Sequence, residues 1–181
     1  MLEREAAVLF LAAVCWWDVG KRRIPNSLVV AGATASLGFL ILKGVGNPGE
    51  AGICRSLAAV LAPAFARALL AFFVGFWLWT ARMIGAGDVK LAAVLLGWLG
   101  FDTGGRGIFL GMLLGAVWSL GRLLNDRELA LRLRQLVFYA ADCLRDGRIK
   151  PYERWKRDGK RAVIPLGACM ALGVMAALWL G

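Results

Sequence analysis

The chain has 181 residues, 60% of them hydrophobic, and carries 22 Lys and Arg against 12 Asp and Glu, a formal net charge of +10. With a mean hydropathy of +0.66, well beyond the roughly 45–50% apolar content of soluble domains, it is not a soluble globule. The basic residues lie between apolar blocks and form no reading surface, so the implied counter-charge is anionic lipid headgroups and not nucleic acid.

The apolar residues fall into six segments, about 6–19, 27–43, 62–81, 89–101, 106–124 and 162–180. That pattern predicts an all-α polytopic membrane protein, a six-transmembrane-helix bundle forming a single membrane-embedded domain over 1–181. Helix 1 follows Glu3-Arg4-Glu5, which is not the basic start of a secretory signal, so it is read as a permanent span. Between helices 2 and 3, Gly44, Gly46 and Asn47-Pro48-Gly49 predict an outer loop over 44–61, with a surface helix ahead of Pro63. Helix 3 contains Arg67, read as a snorkelling or bundle-facing cation, with Trp77 and Trp79 as interfacial belt residues. Helix 4 is short, bounded by Asp88 and Lys90 at one end and Asp102 at the other.

Along helix 5, Gly107, Gly111, Gly115 and Ser119 recur every four residues. Such a ridge lets helix backbones approach closely, and it is assigned to packing inside the bundle, with homodimerisation as its second use. The polar stretch 126–160 carries Leu129, Leu133, Leu136 and Val137 at helical spacing, as in a helix lying in the headgroup plane, and is read as a cytoplasmic, interfacial loop.

Orientation follows from the basic residues of the short connections. Lys21, Arg22 and Arg23 follow helix 1, Arg82 and Lys90 flank the connection from helix 3 to helix 4, and a dense run from Arg122 to Arg161 precedes helix 6. With six spans these all share one side, which places them in the cytoplasm and both termini outside. Four scattered cysteines, Cys15, Cys54, Cys143 and Cys169, have no CxxC pair and the chain has no histidine, so neither a metal site nor a cofactor is expected.

Two ionisable residues stand at span ends on that same cytoplasmic face. Asp18 closes helix 1 in Trp16-Trp17-Asp18-Val19-Gly20, and Asp88 opens helix 4 in Gly85-Ala86-Gly87-Asp88-Val89-Lys90-Leu91. Singly, Asp18 reads equally well as a charge balanced by Lys21, and Asp88 as a helix cap. Together, two converging carboxylates cannot both ionise readily, which is the machinery of general acid–base attack on a peptide carbonyl. Gly85 and Gly87 are read as positions that permit positive φ and leave room for a substrate backbone. Pro25 and Asn26 are read as setting the start of helix 2, with Asn26 as its N-cap. Lys90 is an interfacial anchor that also biases the charge of the carboxylate pair. Because Asp88 opens one helix and Asp18 closes another, helix-end electrostatics assigns the shared proton to Asp18.

Asp18 followed by Arg23-Ile24-Pro25-Asn26, and later Gly85-Ala86-Gly87-Asp88-Val89-Lys90-Leu91, resembles the type IV prepilin peptidases, membrane aspartyl proteases with a GxGD motif. The stretch Ile164-Pro165-Leu166-Gly167 is similar to that family's last span. The resemblance implies that Asp18 and Asp88 are the catalytic pair, at the cytoplasmic face of the cell membrane, removing short leader peptides from pilin-like precursors without a cofactor. The larger bifunctional members carry a cysteine-rich insertion and a methyltransferase activity. This chain lacks the insertion, so the compact peptidase-only type is expected. Two rivals from other classes are a small cation or proton channel or carrier subunit using the same aspartates, and a structural assembly protein.

Overall fold

The computed structural model describes residues 2–21, 23–46, 52–81, 84–125 and 165–180. Every element among them is helical: α1 (Leu2–Lys21), α2 (Asn26–Gly46), α3 (Ile53–Thr80), α4 (Ala86–Gly100), a π-helical turn (Phe101–Gly105), α5 (Arg106–Asn125) and α6 (Leu166–Leu180). The chain separates into two compact units, residues 1–115 with 165–181, and residues 116–164. The candidate site lies wholly in the first. Of the second, only the end of α5 is described, so the amphipathic stretch expected over 126–160 lies outside the described residues.

Three helical runs among the described residues are long and apolar enough to cross a membrane: Asn26–Gly46, Ile53–Thr80 and Ala86–Gly121. The third is not one rod. Gly100 takes φ +76, a left-handed conformation that costs glycine little and other residues much, and the chain reverses there. Gly104 returns so close to α4 that a Cβ on it would lie 2.8 Å from the Leu95 carbonyl oxygen. Ile108 and Met112 of α5 then line the same groove as Asp88, Ala92 and Leu96 of α4, so α4 and α5 run antiparallel. At about 1.5 Å per residue, the 15 residues of α4 give only about 22 Å.

The segment expected to be an outer loop is largely helical instead. α2 runs on through Gly46, and α3 begins at Ile53 and passes through Pro63 without a break. A proline inside a helix removes one backbone hydrogen bond, yet α3 continues through it, and the start of the helix packs against α2. The Ser56 hydroxyl donates to the Gly44 carbonyl (2.8 Å), and Leu57 sits so close to Gly44 that a Cβ there would meet it at 2.7 Å.

Burial is unevenly distributed, and α6 is the centre of the bundle. Nine of its residues are buried, from Gly167 to Leu178, as expected of a helix that is apolar on every side. Leu11 and Val14 of α1 and Leu91 and Leu95 of α4 complete the core with Met170 and Val174. α3 lies at the periphery, with Ala64 its one buried residue and Phe65, Phe73 and Trp77 exposed. Arg67 on this helix is bundle-facing, its Nε–H donating to the Leu96 carbonyl (3.3 Å) near the end of α4.

The glycine ridge of α5 is occupied within the chain. A Cβ at Gly107 would meet Val174 Cα at 2.5 Å, one at Gly111 would meet the Cys169 carbonyl oxygen at 2.7 Å, and one at Gly115 would lie 3.3 Å from Leu166. From Gly107 to Gly115 the ridge therefore packs against α6 within the chain. At the far end from Asp18, Lys43 closing α2 pairs with Glu3 opening α1 (2.7 Å), which fixes these two helices as antiparallel.

Candidate active site

The end of α1 and the starts of α2, α4 and α6 meet at one end of the bundle. Ile24, in the turn between α1 and α2, is the shared contact: a Cβ on Gly87 would lie 3.5 Å from its Cβ, and one on Gly167 would lie 2.7 Å from its Cδ1. Asp18 and Asp88 both stand at this junction, Asp18 against Gly167 and Asp88 over Gly85.

Asp18 is 6% exposed, and its partner is a helix end. Pro165 is the N-cap of α6, its carbonyl accepting from the Cys169 N–H (3.2 Å). Proline has no side-chain acceptor to offer the free N–H groups of the first turn. The Asp18 carboxylate takes that place from another helix: the Ala168 N–H donates to Oδ2 at 2.8 Å. The approach depends on Gly167, since a Cβ there would stand 3.0 Å from Asp18 Oδ2. Helix-end electrostatics thus no longer distinguishes the two acids. Asp18 closes α1 but also caps the N-terminus of α6, so the ground for assigning it the proton disappears.

Asp88 is half-buried in the first turn of α4, where the Gly85 carbonyl accepts from the Asp88 N–H (3.1 Å). That is the first backbone bond of α4, whose N-cap Gly85 has no capping side chain. The Asp88 side chain lies back over Gly85, where a Cβ would stand 2.9 Å from Asp88 Oδ2. Neither Gly85 nor Gly87 uses positive φ; Gly85 is extended at φ −73. What Gly85 supplies is space for the carboxylate. Gly85→Ala is expected to displace Asp88 and lower activity, whereas Gly87→Ala meets Ile24 only at ordinary contact distance and is expected to leave the unfolding temperature unchanged. A loss of activity in a stable Gly87→Ala variant would therefore report on substrate and not on packing, and parallel melting and turnover assays separate the two.

Pro25, not Asn26, is the N-cap of α2, its carbonyl accepting from the Leu28 N–H (3.1 Å). The Asn26 side chain is engaged elsewhere: its Oδ1 accepts from Lys90 Nζ (3.0 Å). Lys90 thereby ties the start of α2 to α4 instead of only anchoring at the interface. Both groups are exposed, so Lys90→Met or Asn26→Ala is expected to cost under about 1 kcal/mol, checked by thermal unfolding.

Beside Asp88 opens an apolar groove of about 130 Å³, lined by Val74 and Leu78 of α3, by Val89 and Leu96, and by Met112, with Asp88 its one ionisable group. Among the described residues no cluster of three His, Cys, Asp or Glu is placed to hold a metal.

The sequence reading missed the first turn of α6 as part of the site. The available signal was Pro165 ahead of an apolar run with Gly167 two residues on, parallel to Ile24-Pro25 ahead of helix 2. No curated protein and no solved structure matches the chain. A family model described as the type IV leader peptidase family matches residues 6–120, a span that holds both Asp18 and Asp88 and stops short of α6. Because that match covers more than half of the chain, the protein belongs to the type IV leader peptidase family.

Proposed function

We propose that this protein is a membrane aspartyl endopeptidase that removes the short leader peptide from type IV pilin-like precursors at the cytoplasmic face of the cell membrane. In this reading it spans the membrane six times with both termini outside. The observation that carries it is the convergence of Asp18 and Asp88, seventy positions apart in sequence, at one end of the bundle, on a junction where Ile24 lies against both Gly87 and Gly167. One carboxylate takes a proton from water as the water adds to the scissile carbonyl. The other, protonated, stabilises the developing oxyanion and then protonates the leaving amine. The Ala168 N–H holds Asp18 in place and Asp88 lies against Gly85, so neither has to be ordered when substrate arrives. The groove beside Asp88 offers an apolar wall to the segment flanking the scissile bond. Leader removal without N-methylation is the expected activity.

Co-expression with a pilin-like precursor, read as a mobility shift on a gel, tests this. Wild type is expected to shorten the precursor, and Asp18→Asn and Asp88→Asn are expected to leave it full-length. Normal processing by both variants would refute the assignment, and cation flux in reconstituted vesicles without any cleavage would favour a channel or carrier.

A further inference from the structure

We infer that the first turn of α6, through Gly167, is a positioning element of the catalytic site: it docks the Ala168 N–H on Asp18, leaves room for the carboxylate at Gly167, and so sets where that carboxylate stands relative to Asp88. The inference rests on the peptidase reading and adds to it a part of the chain beyond the residues matched by the family. Three features of the geometry support it. The Ala168 N–H donates to Asp18 Oδ2 at 2.8 Å across 150 residues of sequence. Pro165 leaves the turn with no capping side chain of its own, so Asp18 is what satisfies it. At Gly167, any side chain would occupy the space Asp18 Oδ2 and Ile24 Cδ1 now fill, at 3.0 and 2.7 Å from an added Cβ.

A second consequence follows from the burial of α6. Its remaining turns form the bundle core, so the donor is carried on the most enclosed helix described. Asp18 is thus referenced to the core, while α1, which carries it, has exposed positions such as Trp16 and Val19 on either side. A carboxylate held this way keeps its position when the outer face of α1 is disturbed by lipid.

The test separates positioning from packing. Gly167→Ala, Ile24→Ala and the double variant are purified in detergent beside wild type and Asp18→Asn, and kcat, KM and the unfolding temperature are measured with a pilin-like precursor. Gly167→Ala is expected to lower kcat by about 10- to 100-fold with KM within about threefold, the scale of a misplaced catalytic group. Adding Ile24→Ala removes one of the two clashes, so the double variant is expected to regain stability while its kcat stays low relative to Ile24→Ala alone. Recovery of kcat together with stability would show that Gly167 serves packing only, and would overturn the inference. Ala168→Pro gives an independent reading, because proline is tolerated in the first turn of a helix yet deletes the donor to Oδ2. It is expected to show the same fall in kcat, and a folded Ala168→Pro enzyme with wild-type kcat would overturn the inference even if the Gly167 variants fail to fold. Cleavage by wild type but not by Asp18→Asn, with Gly167→Ala and Ala168→Pro both unimpaired, would remove the positioning role and leave the peptidase assignment standing. No cleavage by wild type would sink both.

Discussion

Asp88→Asn is expected to lower the rate of leader removal by about 10²–10⁴-fold, the contribution of a positioned acid or base to such a reaction, and Asp18→Asn to do the same. Both should leave the fold nearly untouched. Asparagine keeps an acceptor oxygen, so it can still receive the Ala168 N–H at position 18, it matches the size of the carboxylate lying over Gly85 at position 88, and asparagine caps helices about as well as aspartate. Asp18→Ala is a different experiment. It leaves the Ala168 N–H of α6 without an acceptor at a buried site and is expected to cost about 1–3 kcal/mol of stability on top of the lost chemistry. Steady-state cleavage of a purified precursor, run beside thermal unfolding of each variant, distinguishes these outcomes. An Asp88→Asn enzyme with substantial residual turnover would mean that the pair is not the catalytic unit.

The largest effect on stability is expected at the interface of α5 and α6. Gly111→Leu would drive a side chain into the Met170 backbone and the Cys169 carbonyl, obstacles that cannot rotate away as a side chain can. Overpacking of this kind typically costs 1–3 kcal/mol and occasionally more, and a backbone obstacle places Gly111→Leu at or above the top of that range. Because α6 also carries the donor to Asp18, processing should fall together with stability. Gly38→Ala provides the contrast: nothing stands within 4 Å of its added Cβ, and alanine is the better helix former by about 0.8–1.0 kcal/mol, so this variant should melt no lower than wild type. Size-exclusion chromatography adds a discriminating readout. If the ridge served a homodimer, Gly111→Leu would yield a folded monomer; packing against α6 predicts poor accumulation of any folded species.

The six apolar segments are the part of the architecture most legible in the sequence, because a long apolar run flanked by charges leaves the backbone in lipid no alternative to a helix. Their ends were less so. The start of α3 was hidden behind Pro63 and a cluster of glycines, local signals for a break that close packing on Gly44 and Ser56 overrides. The ridge of α5 announced a close approach by its four-residue spacing, but only the structure shows that α6 is the partner. Asn26 illustrates the same limit. Its type and place suited an N-cap, yet its side chain is drawn away by Lys90, sixty-four residues on.

By itself, the sequence determined that Asp18 and Asp88 stand at span ends on one expected face, because acidic residues are excluded from the interiors of the apolar blocks and confined to their edges. Only the tertiary structure decided what each carboxylate touches. Asp88 lies over Gly85, the N-cap of its own helix, a short-range relation already implicit in the order of residues. Asp18 is held by α6, whose N-terminus lacks a capping side chain and reaches across the bundle for one. That contact depends on how three helices pack, and side-chain spacing along one chain carries no record of it.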